Sequence, residues 1–144
     1  MSSRVSTVDW QGSLMAGTGT IVLASSGQGT FDYSLATRAA DQATTTSPEE
    51  LLAASYASCY AMQLSALLDP GPEENLTLHV EAVVTQGGPE VDFGITEISL
   101  LVRARGLRRS DEEFVETART ASSVCPIGRA LSTVPVSVDA ALSI

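Results

Sequence analysis

The two cysteines, Cys59 and Cys125, are the residues of this chain most able to do chemistry, and they lie 66 positions apart. A thiolate is a strong nucleophile, and two thiols that meet in a fold can cycle between thiols and a disulfide. Pro126 suits the first position of a helix, so we expect Cys125 to N-cap a short helix that favours its thiolate. Free cysteines are also among the most buried residues, so a pair of inert structural thiols is the alternative.

Other reactive side chains are few. The single histidine, His79, alternates with Leu78 and Val80 in a strand pattern, so we expect a solvated strand residue and not a base for either cysteine. One histidine and two distant cysteines offer no cluster of metal ligands. The sequence Gly17-Thr18-Gly19 lacks the third glycine and the strand–helix context of a dinucleotide-binding loop. We therefore expect neither a metal nor another bound cofactor.

The composition narrows the class of protein. With 144 residues, 44% of them hydrophobic and 17% charged, we expect one globular domain over residues 1–144. The net charge of −9 argues against a nucleic-acid partner, which requires basic surface. Without an apolar signal core or a membrane-spanning run, we expect a cytoplasmic protein that does not bind membranes. Thiols in that compartment are reduced or transiently oxidised.

The longest predicted helix runs over residues 47–69 and carries Cys59 near its middle. Ser47 and Glu50 have the spacing of a capping box, and Pro48 suits the first helical position. After Glu50 the helix is apolar or small on nearly every face, which is typical of a helix enclosed by other structure. We therefore expect a buried central helix.

The remaining elements follow from alternation, turn residues and a second capping box. Strands are predicted over residues 3–10, 18–24, 29–37, 76–84, 95–103 and 134–142, and a second helix begins at Ser110. The order is three strands, a helix, two strands, a helix and a strand. This pattern predicts an α+β fold with helices on one face of a mainly antiparallel sheet.

The motif Ser-Pro-Glu-Glu-Leu at residues 47–51, Cys59 and the later Cys125-Pro126 together resemble the OsmC/Ohr family of thiol-dependent peroxidases. Their order and spacing agree as well as their residue types. The matching motifs elsewhere are Trp10-x-Gly12, Thr37-Arg38, Glu50-Leu51-Leu52 and Ala61-Met62-Gln63-Leu64-Ser65, the last two typical of the OsmC branch. The resemblance implies an OsmC-like intertwined homodimer.

The same resemblance implies an enzyme that reduces organic hydroperoxides, and hydrogen peroxide less efficiently. Cys59 would be oxidised to a sulfenic acid, Cys125 would resolve it as a disulfide, and an external dithiol would reduce that disulfide. A lipoylated protein is the donor that the family implies. Arg38 would be the guanidinium beside the thiolate, and Glu49 the carboxylate that orients Arg38.

Three residues near Cys59 in the predicted helix, Tyr56, Tyr60 and Met62, are candidates to line an apolar substrate pocket with Leu67. Ordinary core packing is the alternative for each of them. An apolar pocket would suit alkyl or fatty-acid hydroperoxides.

Spacing along the helix raises a separate question about the carboxylate. Glu49 precedes Cys59 by ten positions, or about 15 Å along a straight helix, which one arginine does not easily bridge. Either the helix begins late or bends, or the site is completed across a homodimer interface. Two other functions stay open: a peroxide-sensing or binding module of the same fold without efficient turnover, and a structural protein with inert cysteines.

Overall fold

The computed structural model describes residues 1–143, which form two compact units. The first unit is Met1–Pro48 and the second begins at Glu49. Each unit contains a three-stranded sheet. The predicted α+β class is confirmed, but the strands form two sheets and not one.

The first unit is an antiparallel meander, as predicted. Its strands are β1 (Thr7–Gln11), β2 (Thr18–Val22) and β3 (Thr30–Tyr33), in the order β1-β2-β3. Gly19 pairs with Trp10 on one side and Tyr33 on the other, and a side chain at Gly19 would collide with both rings. The glycine therefore lets the two rings approach to 5.6 Å between centroids.

The prediction that the third strand continues to residue 37 is wrong. The strand ends at Tyr33, and a short helix, α1, follows over Leu35–Arg38. The Thr37 N–H donates to Ser34 Oγ at 3.1 Å, and the Ser34 N–H donates to Thr37 Oγ1 at 3.1 Å. This reciprocal cap stabilises a helix start where strand alternation alone indicated an extended chain.

The long helix α2 runs without a break over Pro48–Leu68, which confirms its predicted position. After it, β4 (Thr77–Gln86) and β5 (Ile95–Arg105) form an antiparallel pair joined through a 3-10 turn at Pro89–Val91. His79 is exposed on β4, in agreement with the prediction.

The remaining elements are α3 (Asp111–Val124), α4 (Pro126–Ala130) and β6 (Val136–Leu142). The capping box of Ser110 is confirmed, since its Oγ accepts the Glu113 N–H at 3.2 Å and its N–H donates to the Glu113 carboxylate at 3.1 Å. The strand β6 pairs with β5 in parallel, while the other three strand pairs of the described residues are antiparallel, in agreement with the predicted mainly antiparallel pattern. The two helices between β5 and β6 supply the crossover that a parallel pair needs.

One hydrophobic core lies between the second sheet and the helices α2 and α3. Its fully buried residues on the sheet and on α3 are Ile98, Leu100, Val102, Ala104, Phe114, Ala118 and Ala121. On α2 they are Tyr56, Tyr60, Leu64 and Leu68, one stripe at four-residue spacing. The expectation that α2 is enclosed on every face is therefore wrong for the single chain, because its neighbours cover only that stripe. On another face, Met62 is 69% exposed.

By length and composition, α2 is the one helix among the described residues that could cross a membrane. Core helices of soluble proteins meet the same two criteria, and α2 contributes a full stripe to the core described above. Length and apolar character alone do not make it a membrane segment.

Candidate active site

The structure brings the two cysteines together. The Sγ atoms of Cys59 and Cys125 lie 2.9 Å apart, and both residues are free thiols. Cys59 is half-buried in the middle of α2, whereas Cys125 is fully buried at the junction of α3 and α4. Two residues separated by most of the second unit's length thus form one redox-capable pair.

Cys125 occupies the junction because of the residue that follows it. A residue before proline is disfavoured in the helical conformation, and Cys125 has φ −56° and ψ 129°. Its N–H donates to Ala121 O at 3.0 Å, the last bond of α3, and its carbonyl accepts the Arg129 N–H at 2.9 Å, the first bond of α4. The prediction that Cys125 N-caps a short helix is confirmed.

The N–H groups at the start of α4 act on the thiol as expected, but the expected net effect, a favoured thiolate, is wrong. Burial raises the pKa of Cys125, and the hydrogen bond to Cys59 acts in the same direction. The backbone N–H groups of Gly128 and Ile127 act to lower this pKa, but desolvation is the larger influence. Cys125 therefore stays a thiol and donates to the sulfur of Cys59. The sulfur of Cys59 is the acceptor of this hydrogen bond.

The three candidate pocket residues have different surroundings. Tyr60 is fully buried, and its hydroxyl donates to Ala118 O at 2.9 Å, so it belongs to the core. Tyr56 is also inaccessible to solvent and donates to Ser122 O at 3.3 Å, while Met62 projects into solvent. Within the single chain these residues do not form one substrate pocket.

A cleft of about 470 Å³ lies near the junction of α3 and α4, although neither cysteine lines it. Its walls combine hydroxyl groups, two valines and one guanidinium, from Tyr56, Ser122, Ser123, Gly128, Arg129, Ser132, Val134 and Val136. Arg129 follows Cys125 by one helical turn. Arg129 was not among the residues predicted from the sequence, although its place four residues after a capping cysteine was a usable signal.

The two predicted charged site residues lie at helix ends. Glu49 is half-buried in the first turn of α2. Because α2 is continuous from Pro48, Glu49 lies about 15 Å along the axis from Cys59, and the helix does not begin late. Arg38 is the last residue of α1. Its predicted approach to Cys59 and Glu49 stays a prediction.

Within the first unit, Arg38 lies at an apolar cavity of about 220 Å³. The other residues that line the cavity are Trp10, Leu14, Tyr33, Ser34 and Leu35. Arg38 thus combines a permanent positive charge with aromatic and aliphatic neighbours.

Known proteins resemble this chain over most of its length. Peroxiredoxin OsmC of Escherichia coli K12 is 29% identical over 124 residues, which cover 85% of each chain. The crystal structure of the organic hydroperoxide resistance protein OhrB of Bacillus subtilis superposes with a TM-score of 0.64 at 26% identity, covering 96% of this chain and 98% of that one. An OsmC-like protein from Mycoplasma pneumoniae, 18% identical with a TM-score of 0.66 and 99% coverage of both chains, shares the fold.

The family resemblance seen in the cysteine motifs extends to a match over residues 40–139 with the family described as OsmC-like protein. That span includes α2, both cysteines and most of β6. The chain belongs to the OsmC-like protein family.

Proposed function

We propose that this protein is a two-cysteine peroxidase that reduces organic hydroperoxides, and hydrogen peroxide less efficiently. The observation that carries the proposal is the 2.9 Å contact between the sulfurs of Cys59 and Cys125. The names of the E. coli and B. subtilis relatives, a peroxiredoxin and a hydroperoxide resistance protein, support the same activity.

In the proposed reaction, the Cys59 thiolate attacks one oxygen of the hydroperoxide. The O–O bond breaks, an S–O bond forms, and the alkoxide takes a proton and leaves as an alcohol. The sulfur of Cys125 then attacks the resulting sulfenic acid, forming the disulfide and releasing water. An external dithiol gives up two protons and two electrons by thiol–disulfide exchange and becomes a disulfide itself, which restores both thiols.

Arg38 and Glu49 complete the proposed site. A buried thiolate needs a fixed positive partner, and a guanidinium remains charged and can contact sulfur and carboxylate together. Its N–H groups would also stabilise charge on the departing oxygen. Glu49 is proposed to orient Arg38, and its distance along α2 favours completion of the site by a second subunit.

A homodimer is the assembly we propose. Only the stripe of α2 that meets the core is buried, while Met62 and Leu67 are 69% and 41% exposed on an otherwise apolar helix. A second copy of this helix is a chemically matched cover for that surface. Sedimentation of a fully active monomer would contradict the assembly.

The proposed partners and compartment follow from the family and the composition. The reductant is a dithiol, with a lipoylated protein as the leading donor, and the compartment is the cytoplasm. Apolar alkyl hydroperoxides are the proposed substrates because the residues that flank Cys59 along α2 are mainly small or apolar. Comparing turnover of cumene hydroperoxide with hydrogen peroxide tests that preference, and faster turnover of hydrogen peroxide would contradict it.

Peroxide consumption with dihydrolipoamide tests the function directly. We expect multiple turnovers by the wild type, no activity above background for Cys59→Ser, and one equivalent of sulfenic acid with poor turnover for Cys125→Ser. The reason is that the first variant lacks the nucleophile and the second lacks only the resolving thiol.

A matched control for these variants is Ser58→Ala, which changes an exposed side chain beside Cys59 on α2. This variant should turn over like the wild type. A single oxidation without recycling in the wild type would instead indicate a sensor, and a Cys59→Ser variant as active as the wild type would refute the proposed nucleophile.

A further inference from the structure

We propose that Tyr56 and Tyr60 are positioning residues that hold Cys125 against Cys59 through their hydroxyl groups. Each hydroxyl donates to a backbone carbonyl of α3, and we call the two bonds together the tyrosine ladder. The proposal rests on the proposed function in one respect: the step it assists is the attack of Cys125 on oxidised Cys59.

The two hydrogen bonds of the tyrosine ladder, its rungs, fix the axial position of α2 relative to α3. Tyr60 donates to Ala118 O at 2.9 Å, and Tyr56 donates to Ser122 O at 3.3 Å. The donors are four residues apart on one helix and the acceptors four apart on the other, in opposite order. Four helical residues span about 6 Å, so both rungs fit only one axial alignment of these antiparallel helices. A slip of one residue, about 1.5 Å, would break both bonds.

The bond from Tyr56 to Ser122, the upper rung of the ladder, meets the last turn of α3, directly before Cys125. Ser122 belongs to the last turn of α3, where carbonyl groups lack partners within the helix. Tyr56 supplies a donor to that carbonyl only three residues before Cys125. Gly128 leaves no room at its own position for a further carbon, because Ser122 O and the ring and hydroxyl of Tyr56 occupy it. The start of α4 is therefore packed against the same rung.

The bond from Tyr60 to Ala118, the lower rung of the ladder, is buried together with the tyrosine ring. Tyr60 and Tyr56 are both 0% exposed, so water does not replace a lost partner easily. Burial raises the pKa of Tyr60, and burial together with negative charge at Cys125 and Cys59 raises the pKa of Tyr56. Both hydroxyls thus remain protonated donors at neutral pH, whichever state the sulfurs occupy.

The alignment of the two sulfurs determines which of two competing reactions the oxidised Cys59 undergoes. In the productive one, Cys125 attacks the sulfenic acid, an S–S bond forms and water leaves. In the competing one, a second hydroperoxide transfers an oxygen, giving a sulfinic acid and an alcohol. A held thiol has a large advantage over a diffusing oxidant, and loosening the ladder reduces that advantage.

The test uses Tyr56→Phe, Tyr60→Phe and the double variant, which keep the rings and remove the hydroxyls. After one equivalent of cumene hydroperoxide, we expect sulfenic acid to form at the wild-type rate. Disulfide formation should slow about fivefold to tenfold in each single variant and further in the double variant, given the usual strength of one hydrogen bond. With excess peroxide, the sulfinic acid fraction measured by mass spectrometry should rise.

The matched control is Thr117→Val, which removes a hydroxyl that donates to Glu113 O at 2.7 Å within α3. It loses a hydrogen bond of the same kind without crossing to α2, so its disulfide formation should equal that of the wild type. Wild-type rates and sulfinic fractions in both phenylalanine variants would overturn the ladder. An equal slowing in Thr117→Val would also overturn it, because the effect would then be general destabilisation.

A peroxide-free measurement separates the ladder from the proposed function. The equilibrium between the Cys59–Cys125 disulfide and a glutathione buffer reports how strongly the folded chain favours the disulfide over the two free thiols. We expect the phenylalanine variants to favour the disulfide about fivefold to tenfold less than the wild type. That shift would support the ladder even if the wild type failed to consume peroxide, and an unchanged equilibrium would overturn it even if peroxidase activity were confirmed.

Discussion

Cys125 experiences two opposing influences at one sulfur atom. The amides at the start of α4 favour a thiolate, while burial and the hydrogen bond to Cys59 favour the thiol. The helix start at Pro126 was predictable from the sequence, but the sign of the net effect on the pKa of Cys125 was not, because desolvation depends on how the folded chain covers the residue. The cysteines themselves were predictable from type and spacing, whereas the tyrosine hydroxyls that meet α3 required the packed structure.

The raised pKa of Cys125 predicts how the protein responds to alkali. The folded state keeps this proton to a higher pH than the unfolded state does, so the associated stability is complete below the ordinary thiol pKa. It is lost as the pH rises through the raised value. In Cys59→Ser, where burial still acts, alkylation of Cys125 by iodoacetamide should require a higher pH than in the urea-unfolded chain.

Mass spectrometry of the alkylated peptide gives that pH profile. The Cys125→Ser variant provides the corresponding stability control, since its free energy of unfolding should fall less between neutral and alkaline pH than that of Cys59→Ser. A folded-state profile that coincides with the unfolded one, or lies below it, would contradict the prediction.

The secondary-structure elements that were predictable from the sequence are those whose signals lie within a few residues. The capping box at Ser110 and the helix start at Pro48 were predictable because their signals lie within a few residues. The parallel pairing of β6 with β5 was not, since strand direction is set by the crossover through α3 and α4. The short helix that ends at Arg38 also has a local signal, the Ser34–Thr37 capping box. The alternating pattern of the same residues predicted a strand instead.

Gly128 provides a test of how closely α4 packs on the end of α3. In Gly128→Ala the added carbon would collide with the Ser122 carbonyl, a backbone atom, and with Tyr56. We expect a loss of about 1–3 kcal/mol in the free energy of unfolding, measured by urea denaturation of the reduced protein. Disulfide formation between the cysteines should also slow.

The matched substitution is Gly71→Ala, where the nearest atom to the added carbon is a carboxylate oxygen of Glu74 at 3.5 Å. This distance is ordinary contact, so its stability should remain within about 0.5 kcal/mol of the wild type. Equal stabilities of the two alanine variants would show that α4 yields to the extra carbon without cost.

At the scale of the whole molecule, the second unit contains the thiol pair and the first contains Arg38. Composition alone predicted the globular class, from 44% hydrophobic and 17% charged residues. The position of the apolar helix α2 was predicted correctly, but its burial was not. Within one chain, neighbouring elements bury only one stripe of the helix. The proposed homodimer is the assembly that accounts for the remaining apolar surface and for the position of Glu49.

The separation of 66 positions between the two sulfur-bearing residues has a thermodynamic consequence. A covalent bond between them would close a long loop and reduce the entropy of the unfolded chain, which the chain-entropy treatment values at about 4 kcal/mol. The oxidised protein should therefore melt at a higher temperature than the reduced one, by roughly 10 °C for a domain of this size. Calorimetry with and without reductant measures the difference, and equal melting temperatures would contradict it. Each catalytic cycle would then alternate between a heat-resistant and a heat-sensitive form of the same enzyme.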